Sequence, residues 1–249
     1  MDATPTSRDV GISLSVAMPA YNEEDAISNV IADHNNALQF LSPRLADWEI
    51  VCVNDASTDS TASLLATLSS TYPKLRIVHH STNLGMHTSV RDATHATTGT
   101  HVYLTASDGQ WPASTLITLF EAMQSQNADV VIGVRRNRSQ VYSFWRRFIS
   151  FCFNGLSRLL LGVKTGDAGG VKLAVREFFT TPTISNSPFA EAERIVIAHH
   201  RGWRIAHVPI EFTQRQSGTS TGASFANICS SLRDLFRCTW RYRACKHRH

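Results

Sequence analysis

This sequence of 249 residues lacks paired cysteines and long apolar runs. Its five cysteines are scattered with no CxxC pair among them, so neither a disulfide framework nor a cysteine-ligated zinc site is predicted. No apolar run approaches the roughly 20 residues that cross a bilayer. The polar start MDATPTSRDVG also lacks the apolar core of a signal peptide. These absences predict a cytoplasmic protein with reduced thiols.

Charge is sparse and unevenly placed. Only 18% of the residues are charged and 43% are apolar, which suits one sizeable α/β domain. The formal net charge is +4, but from Arg233 onward six Arg or Lys residues accompany a single acid, Asp234. The C-terminal segment is therefore predicted to carry a basic surface.

Short apolar strands alternate with helical patterns through the first half of the chain. The predicted strands are Ile12–Pro19, Trp48–Asn54, Leu75–His79, Thr100–Thr105 and Asp129–Val134. The predicted helices are one after Tyr21, with Glu23, Glu24 and Asp25 in its first turn, then Thr61–Thr71, Gly85–Thr98 and Ala113–Gln126. Parallel strands of this kind bring the loops that follow them to one edge of the sheet, where ligands bind.

The second half changes character. The segment Val141–Leu161 mixes aromatic residues with arginines and either packs on the sheet or lies at a membrane surface. A helix at Pro188–Arg201, a strand at Trp203–Val208 and a polar loop at Gln214–Ala223 follow. A C-terminal helix is predicted with a basic face opposite an apolar stripe that consists of Phe225, Ile228, Cys229, Leu232, Leu235, Phe236 and Trp240.

Several short motifs occur in order along the chain. They are PAYNEE from Pro19, ND-x-STD from Asn54, N-x-G from Asn83, SDGQWP from Ser107, VIGVR from Val131, GVKL from Gly170, and a late set running from Glu193 through Gly202-Trp203 and Val208-Pro209 to Arg215 and Ser220. Together, over roughly residues 12–221, they resemble the inverting family 2 glycosyltransferases, and most closely the dolichol-phosphate and polyprenyl-phosphate sugar synthases.

The resemblance implies an α/β GT-A fold, which is Rossmann-like, with a mostly parallel sheet flanked by helices. The predicted organisation is a flexible tail at 1–11, a glycosyltransferase domain at 12–224 and a basic amphipathic helix and tail at 225–249. Within the domain, a nucleotide-sugar half at about 12–135 precedes an acceptor half at about 136–224.

The resemblance also implies a metal site with Mg²⁺ or Mn²⁺ on a D-x-D-x-Q-like motif. The matching positions here keep Asp108 and Gln110, but Ala106 replaces the first acid. One carboxylate, one amide oxygen and the donor's diphosphate still suit Mg²⁺, because that ion retains several waters. The alternative for Asp108 is a turn or helix-cap residue.

Further site residues follow from the same resemblance. The predicted nucleotide-sugar-binding residues are Pro19, Tyr21, Glu23, Asp55, Asn83, Ser107, Arg135 and Ser220. The alternatives are a helix-dipole acid for Glu23, a turn former for Asp55 and a solvated surface residue for Arg135. Arg215, in a loop suited to close over the site, is a catalytic candidate beside Asp108 and Glu193.

The predicted function is transfer of a hexose from a UDP- or GDP-sugar to a polyprenyl or dolichyl phosphate or a similar acceptor. One alternative is a saccharide or natural-product hydroxyl acceptor, which needs a base such as Glu193 or Glu191, whereas a lipid phosphate needs none. The other is a catalytically inactive nucleotide-binding relative, because of Ala106.

A lipid acceptor predicts peripheral contact with the cytoplasmic face of a membrane through the C-terminal helix. The alternative is that this helix only packs on the domain. No nucleic-acid-binding module is recognisable.

Overall fold

The computed structural model describes residues 11–136, 155–163, 168–187, 189–211 and 225–246. Within them, seven strands form one sheet in the order β3-β2-β1-β4-β6-β5-β7. The strands are β1 (Ser13–Ala20), β2 (Asp47–Asn54), β3 (Leu75–His79), β4 (His101–Leu104), β5 (Val130–Arg135), β6 (Lys172–Val175) and β7 (Ile205–Ile210). Most neighbouring pairs are parallel, as predicted.

Helices cover both faces of this sheet. They are α1 (Ile27–Leu41), α2 (Thr61–Thr71), α3 (Met86–Ala96), α4 (Ser114–Ser125), α5 (Arg176–Thr180), α6 (Ala190–His200) and α7 (Phe225–Lys246), with a 3₁₀ turn at Ser42–Arg44 and a helical stretch at 155–161. One face of the sheet packs on α1, α2 and α4, and the other on α3, α5 and α6. Because both faces are covered, the central strands are apolar on both sides.

Strand β6 is the exception to the parallel pattern, and it was not predicted. It lies between β4 and β5 and is antiparallel to both, with Lys172 opposite Leu104 and Ile132. Its four residues, KLAV, are too few to show a period, which is why sequence reasoning recorded only a motif there. Since β6 joins β4 to β5, the predicted donor and acceptor halves share one sheet.

The first helix begins later than the sequence predicted. α1 starts at Ile27, so its first turn contains no acid, and the prediction that Glu23, Glu24 and Asp25 occupy that turn is wrong. The backbone N–H of Glu23 instead donates to Thr61 Oγ1 at 2.9 Å, and that of Glu24 donates to Asp59 Oδ2 at 3.2 Å. These bonds hold the chain against the start of α2 and delay the helix.

At the end of the sheet where β1 and β4 begin, Gly99 allows the chain to pass close to β1. Its N–H donates to Ser15 Oγ at 3.0 Å. A Cβ added at Gly99 would lie 2.6 Å from Ser15 Oγ and 2.9 Å from the carbonyl oxygen of Ser13. Only glycine fits there without displacing backbone.

The apolar residues predicted as one stripe on α7 do not share one environment. Leu235 is fully buried against Phe189 and Ala192, whereas Phe236 and Trp240 are exposed. Cys238, which was not part of the predicted stripe, is buried beside Leu235. None of the helices in the described part of the chain is long and apolar enough to cross a membrane. Most of the predicted segment Val141–Leu161 and the whole of the loop Gln214–Ala223 lie outside the described residues.

Candidate active site

Four strands end at the edge of the sheet where the sequence places its site. β1 ends beside β2, with Ala20 opposite Asn54, and β4 ends on the other side of β1, with Leu104 opposite Ala17. β5 runs in the same direction as β4, because β6 is antiparallel to both. The loops that carry Tyr21, Asp55 and Asp108 therefore share this edge.

The loop after β4 is fixed to the end of β1 by Ser107. This side chain is buried, and its Oγ donates to the carbonyl oxygen of Pro19 at 2.7 Å. Ser107 and Pro19, two predicted nucleotide-sugar-binding residues, are thus brought together. The bond sets the position of Asp108, the next residue.

Asp108 lies in the turn that begins directly after Ser107. It is half-buried, and its Oδ1 accepts the backbone N–H of Gln110 at 3.0 Å, which orients the carboxylate within the turn. Ala106 packs against the apolar core and offers no metal ligand. Across the described ranges, no group of three or more His, Cys, Asp or Glu side chains is placed to hold a metal ion. A divalent ion here would need donor oxygens in addition to those of Asp108 and Gln110.

Asp55 organises the loop that contains Asn83. It is only 2% exposed, and its Oδ1 accepts the backbone N–H of Leu84 at 2.8 Å while its Oδ2 accepts that of Gly85 at 2.9 Å. Gly85 has φ +85°, a conformation that glycine adopts without strain. Asn83 is exposed at the surface of this loop. The ND-x-STD and N-x-G motifs are therefore joined by the Asp55 carboxylate.

His80 completes the environment of that carboxylate. Its Nδ1 lies 2.7 Å from Asp55 Oδ1, and its Nε2 lies 3.2 Å from Asp92 Oδ2. Burial would raise the pKa of Asp55, but the hydrogen bonds from His80 and from the two backbone N–H groups hold that pKa below its usual value. Sequence reasoning missed His80, because a single histidine after a strand carries no recognisable spacing.

Tyr21 and Glu23 lie in the loop after β1. Tyr21 is exposed and Glu23 is half-buried. Between them Asn22 adopts φ 54° and accepts the N–H of Thr58 through its Oδ1 at 2.8 Å, which ties the PAYNEE loop to the ND-x-STD loop. The two loops form one continuous rim along the ends of β1 and β2.

Arg135 lies at the end of β5. Its guanidinium donates to the carbonyl oxygen of Gly169 at 3.1 Å and lies 5.2 Å from the centre of the Trp111 ring. Trp111 belongs to the same SDGQWP motif as Asp108. Arg135 thus connects the loop after β4 with the segment that enters β6.

Lys172 holds the same segment from inside the protein. It is 1% exposed, and its Nζ donates to the carbonyl oxygen of Gly170 at 3.1 Å and to Glu191 Oε2 at 2.9 Å. Arg194 Nε lies 3.5 Å from Glu191 Oε1. Burial would raise the pKa of Glu191, but Lys172 and Arg194 keep it below the usual value. The GVKL motif marked Lys172, but its partner could not be read from the sequence.

Glu193, the base expected for a hydroxyl acceptor, is completely buried. Its Oε1 accepts the N–H of Ile184 at 2.9 Å and the hydroxyl of Tyr242 at 3.2 Å, and its Oε2 accepts the N–H of Ser185 at 2.9 Å. The structure therefore places Glu193 as an anchor between α6, α7 and the chain before α6, away from solvent. Arg215 and Ser220 lie outside the described residues.

Comparison with known proteins places this geometry in context. A family model described as Glycosyl transferase family 2 matches residues 15–180. A dolichyl-phosphate beta-glucosyltransferase of Trichomonas vaginalis is 27% identical over 228 residues, which cover 84% of this chain and 69% of the relative. An undecaprenyl-phosphate 4-deoxy-4-formamido-L-arabinose transferase of Salmonella choleraesuis is 27% identical over 241 residues, which cover 95% of this chain and 69% of that relative.

Solved structures agree on the fold. A glucosyl-3-phosphoglycerate synthase from Mycobacterium tuberculosis, in complex with Mn²⁺, UDP and glucosyl-3-phosphoglycerate, superposes with a TM-score of 0.67 at 21% identity. The match covers 92% of this chain and 80% of that one. The same enzyme with Mg²⁺ and UDP gives a TM-score of 0.65 at 19% identity, over 92% and 80% of the chains. The predicted GT-A fold is confirmed.

Proposed function

The chain belongs to glycosyl transferase family 2, and from that premise we propose that it moves a hexose, with inversion, from a UDP- or GDP-sugar to a polyprenyl or dolichyl phosphate. Both relatives named above are sugar transferases whose names give a lipid phosphate as the acceptor. In the proposed reaction a phosphate oxygen of the acceptor attacks C1 of the sugar. The bond from C1 to the diphosphate breaks, and the nucleoside diphosphate leaves.

The choice of acceptor depends on the contacts of the two candidate bases, Glu193 and Glu191. A hydroxyl acceptor must lose a proton, whereas a lipid phosphate is already ionised. Both oxygens of Glu193 accept hydrogen bonds inside the protein, and Glu191 is paired with Lys172 and Arg194. Glu193 is completely buried and Glu191 is engaged by two cations, which supports an acceptor that needs no base.

The donor is proposed to bind in a site formed by the loops after β1, β2, β3 and β4. Tyr21, Glu23 and Asn83 line it, and Asp55 shapes it through the loop that it holds. Arg135 is proposed to bind phosphate by its guanidinium, since this group forms paired hydrogen bonds with phosphate oxygens. Ser107 fixes the loop that carries Asp108 to the end of β1.

Asp108 and Gln110 are proposed to hold a divalent ion together with the donor's diphosphate. One carboxylate and one amide suit an ion that keeps several waters, as Mg²⁺ does. When bound, such an ion supplies positive charge to the leaving diphosphate. Ala106 leaves the set one carboxylate short, so the diphosphate itself must complete it.

The test is turnover of a panel of UDP- and GDP-sugars with a short-chain polyprenyl phosphate and Mg²⁺ or Mn²⁺. We expect release of nucleoside diphosphate and a product whose anomeric configuration, measured by NMR, is opposite to that of the donor. Asp108→Asn should abolish both turnover and metal-dependent donor binding, whereas Glu121→Gln, on the exposed side of α4, should change neither.

Two outcomes would overturn the proposed reaction, and a third would overturn the metal site alone. Donor binding without turnover on any acceptor would favour the inactive relative suggested by Ala106. Turnover only with a saccharide hydroxyl would favour the other alternative. Unchanged metal-dependent binding in Asp108→Asn would remove the metal assignment.

A further inference from the structure

Helix α7 presents a basic and aromatic face to solvent. Phe236 is 57% exposed and Trp240 83%, and they lie one turn apart. Arg233, Arg237 and Arg241 are exposed and, at helical spacing, lie beside them. We call these five residues the α7 face.

The opposite side of α7 is attached to the protein. Leu235 and Cys238 are buried against α6, the Tyr242 hydroxyl donates to Glu193, and the Tyr242 ring stacks on His200 with centroids 5.6 Å apart. The helix therefore has a fixed orientation. The exposed side chains cannot be covered by turning the helix inward, because that would expose the buried ones.

The charge of the face has one sign. Asp234 is the only acid among the described side chains of α7, and it is 1% exposed. Its Oδ1 lies 3.7 Å from Arg233 Nε and 3.5 Å from Arg237 Nη1. Three arginines thus accompany one buried carboxylate, so the surface offered to a partner is cationic.

We propose that the α7 face docks the protein on an anionic lipid bilayer, with Phe236 and Trp240 in the headgroup region and the arginines on lipid phosphates. Tryptophan is enriched at membrane–water interfaces, where its ring lies at the level of the headgroups, and arginines near the surface are attracted to anionic lipids. The choice of a bilayer over nucleic acid rests on the proposed lipid-phosphate acceptor, which is embedded in a membrane.

The expected contributions are separable. An arginine near an anionic surface changes the partition coefficient by roughly fivefold. Removing the indole of Trp240 should lower it by about tenfold or more, because a large apolar area no longer leaves water. The first contribution should weaken with salt and the second should not.

The test is flotation of the full chain with vesicles of phosphatidylcholine, alone or mixed with phosphatidylglycerol. Wild type should float with the mixed vesicles and much less with the neutral ones. Trp240→Ser should lose binding to the mixed vesicles by about tenfold. Arg241→Gln should lose roughly fivefold on those vesicles. Phe40→Ser removes an aromatic side chain that is 67% exposed on α1 and is the matched control, which should bind like wild type.

Several results would overturn the docking proposal. These are equal flotation of Trp240→Ser and wild type, equal binding to neutral and anionic vesicles, or displacement of the protein from vesicles by a single-stranded oligonucleotide. Turnover on a water-soluble short-chain isoprenyl phosphate separates this proposal from the proposed function. If turnover persists without vesicle binding, only the docking surface fails, and if vesicle binding persists without turnover, only the proposed reaction fails.

Discussion

Replacing Glu191 by Gln should destabilise the protein more than replacing Lys172 by Met, although the two residues form one ion pair. Glu191 has two cationic partners, with Lys172 at 2.9 Å and Arg194 at 3.5 Å. Lys172 is buried, and among the described residues Glu191 is its only carboxylate partner. Losing Glu191 leaves a buried ammonium without an anion, whereas losing Lys172 leaves Glu191 with Arg194.

The magnitudes follow from the distances. With an effective dielectric constant of about 20, the gross attraction of Glu191 is about 6 kcal/mol to Lys172 and about 5 kcal/mol to Arg194. Breaking a buried pair costs about 3–5 kcal/mol when a charge is left alone, which applies to Glu191→Gln. For Lys172→Met we expect about 2 kcal/mol, the value of one hydrogen bond to a charged group.

The measurement is urea unfolding at neutral pH, followed by tryptophan fluorescence. The double variant Glu191→Gln/Lys172→Met should recover part of the loss caused by Glu191→Gln alone, since no ammonium then remains buried. Glu177→Gln is the matched control, because Glu177 pairs with Arg201 at the surface and should cost less than about 1 kcal/mol. A larger loss for Lys172→Met than for Glu191→Gln, or strictly additive losses, would refute the reasoning.

Three further perturbations test other parts of the fold and site. Asp55→Asn should lower the free energy of unfolding by about 2 kcal/mol at neutral pH. The pKa of Asp55 is lower in the folded protein than in the unfolded chain. The difference in unfolding free energy between the variant and wild type should therefore be fully present above the ordinary aspartate pKa, and it should shrink as the pH falls through the pKa of the folded protein. A difference that persists in acid contradicts this. Gly99→Ala should cost about 1–3 kcal/mol in thermal or urea unfolding. Gly155→Ala should leave stability unchanged, because an added Cβ there meets nothing within 4 Å. Equal losses of stability in the two variants would disprove the close contact at Gly99. Ser107→Ala should weaken donor binding in calorimetry because the loop before Asp108 loses its bond to β1, and unchanged affinity would show that the bond does not position the site.

The sequence was sufficient to predict the strands that carry the site. Their apolar runs are short and bounded by polar turns, so β1 to β5 lie close to the predicted positions. The motifs after β1, β2 and β4 do share one edge of the sheet, because parallel strands leave them no other place. These features depend on local pattern and on general topology.

What the sequence could not supply depends on contacts between distant segments. Glu193 was expected at the site because it matches a motif, but burial against Ile184, Ser185 and Tyr242 gives it three donors inside the protein. The pairing of Lys172 with Glu191 joins a strand to a helix across 19 residues, and no periodicity reports it. Similarly, the division of the α7 apolar residues into buried and exposed sets is decided by the position of α6.

The interior position of β6 in the sheet limits how this enzyme can be recombined. A natural recombination experiment exchanges the second half of such a chain for that of a relative. Here the exchanged piece would bring in a strand whose backbone must bond to β4 on one side and β5 on the other, both belonging to the retained half. A chimera joined near residue 136 therefore replaces an interior strand of a shared sheet, and successful hybrids should require crossovers that move β4, β5 and β6 together.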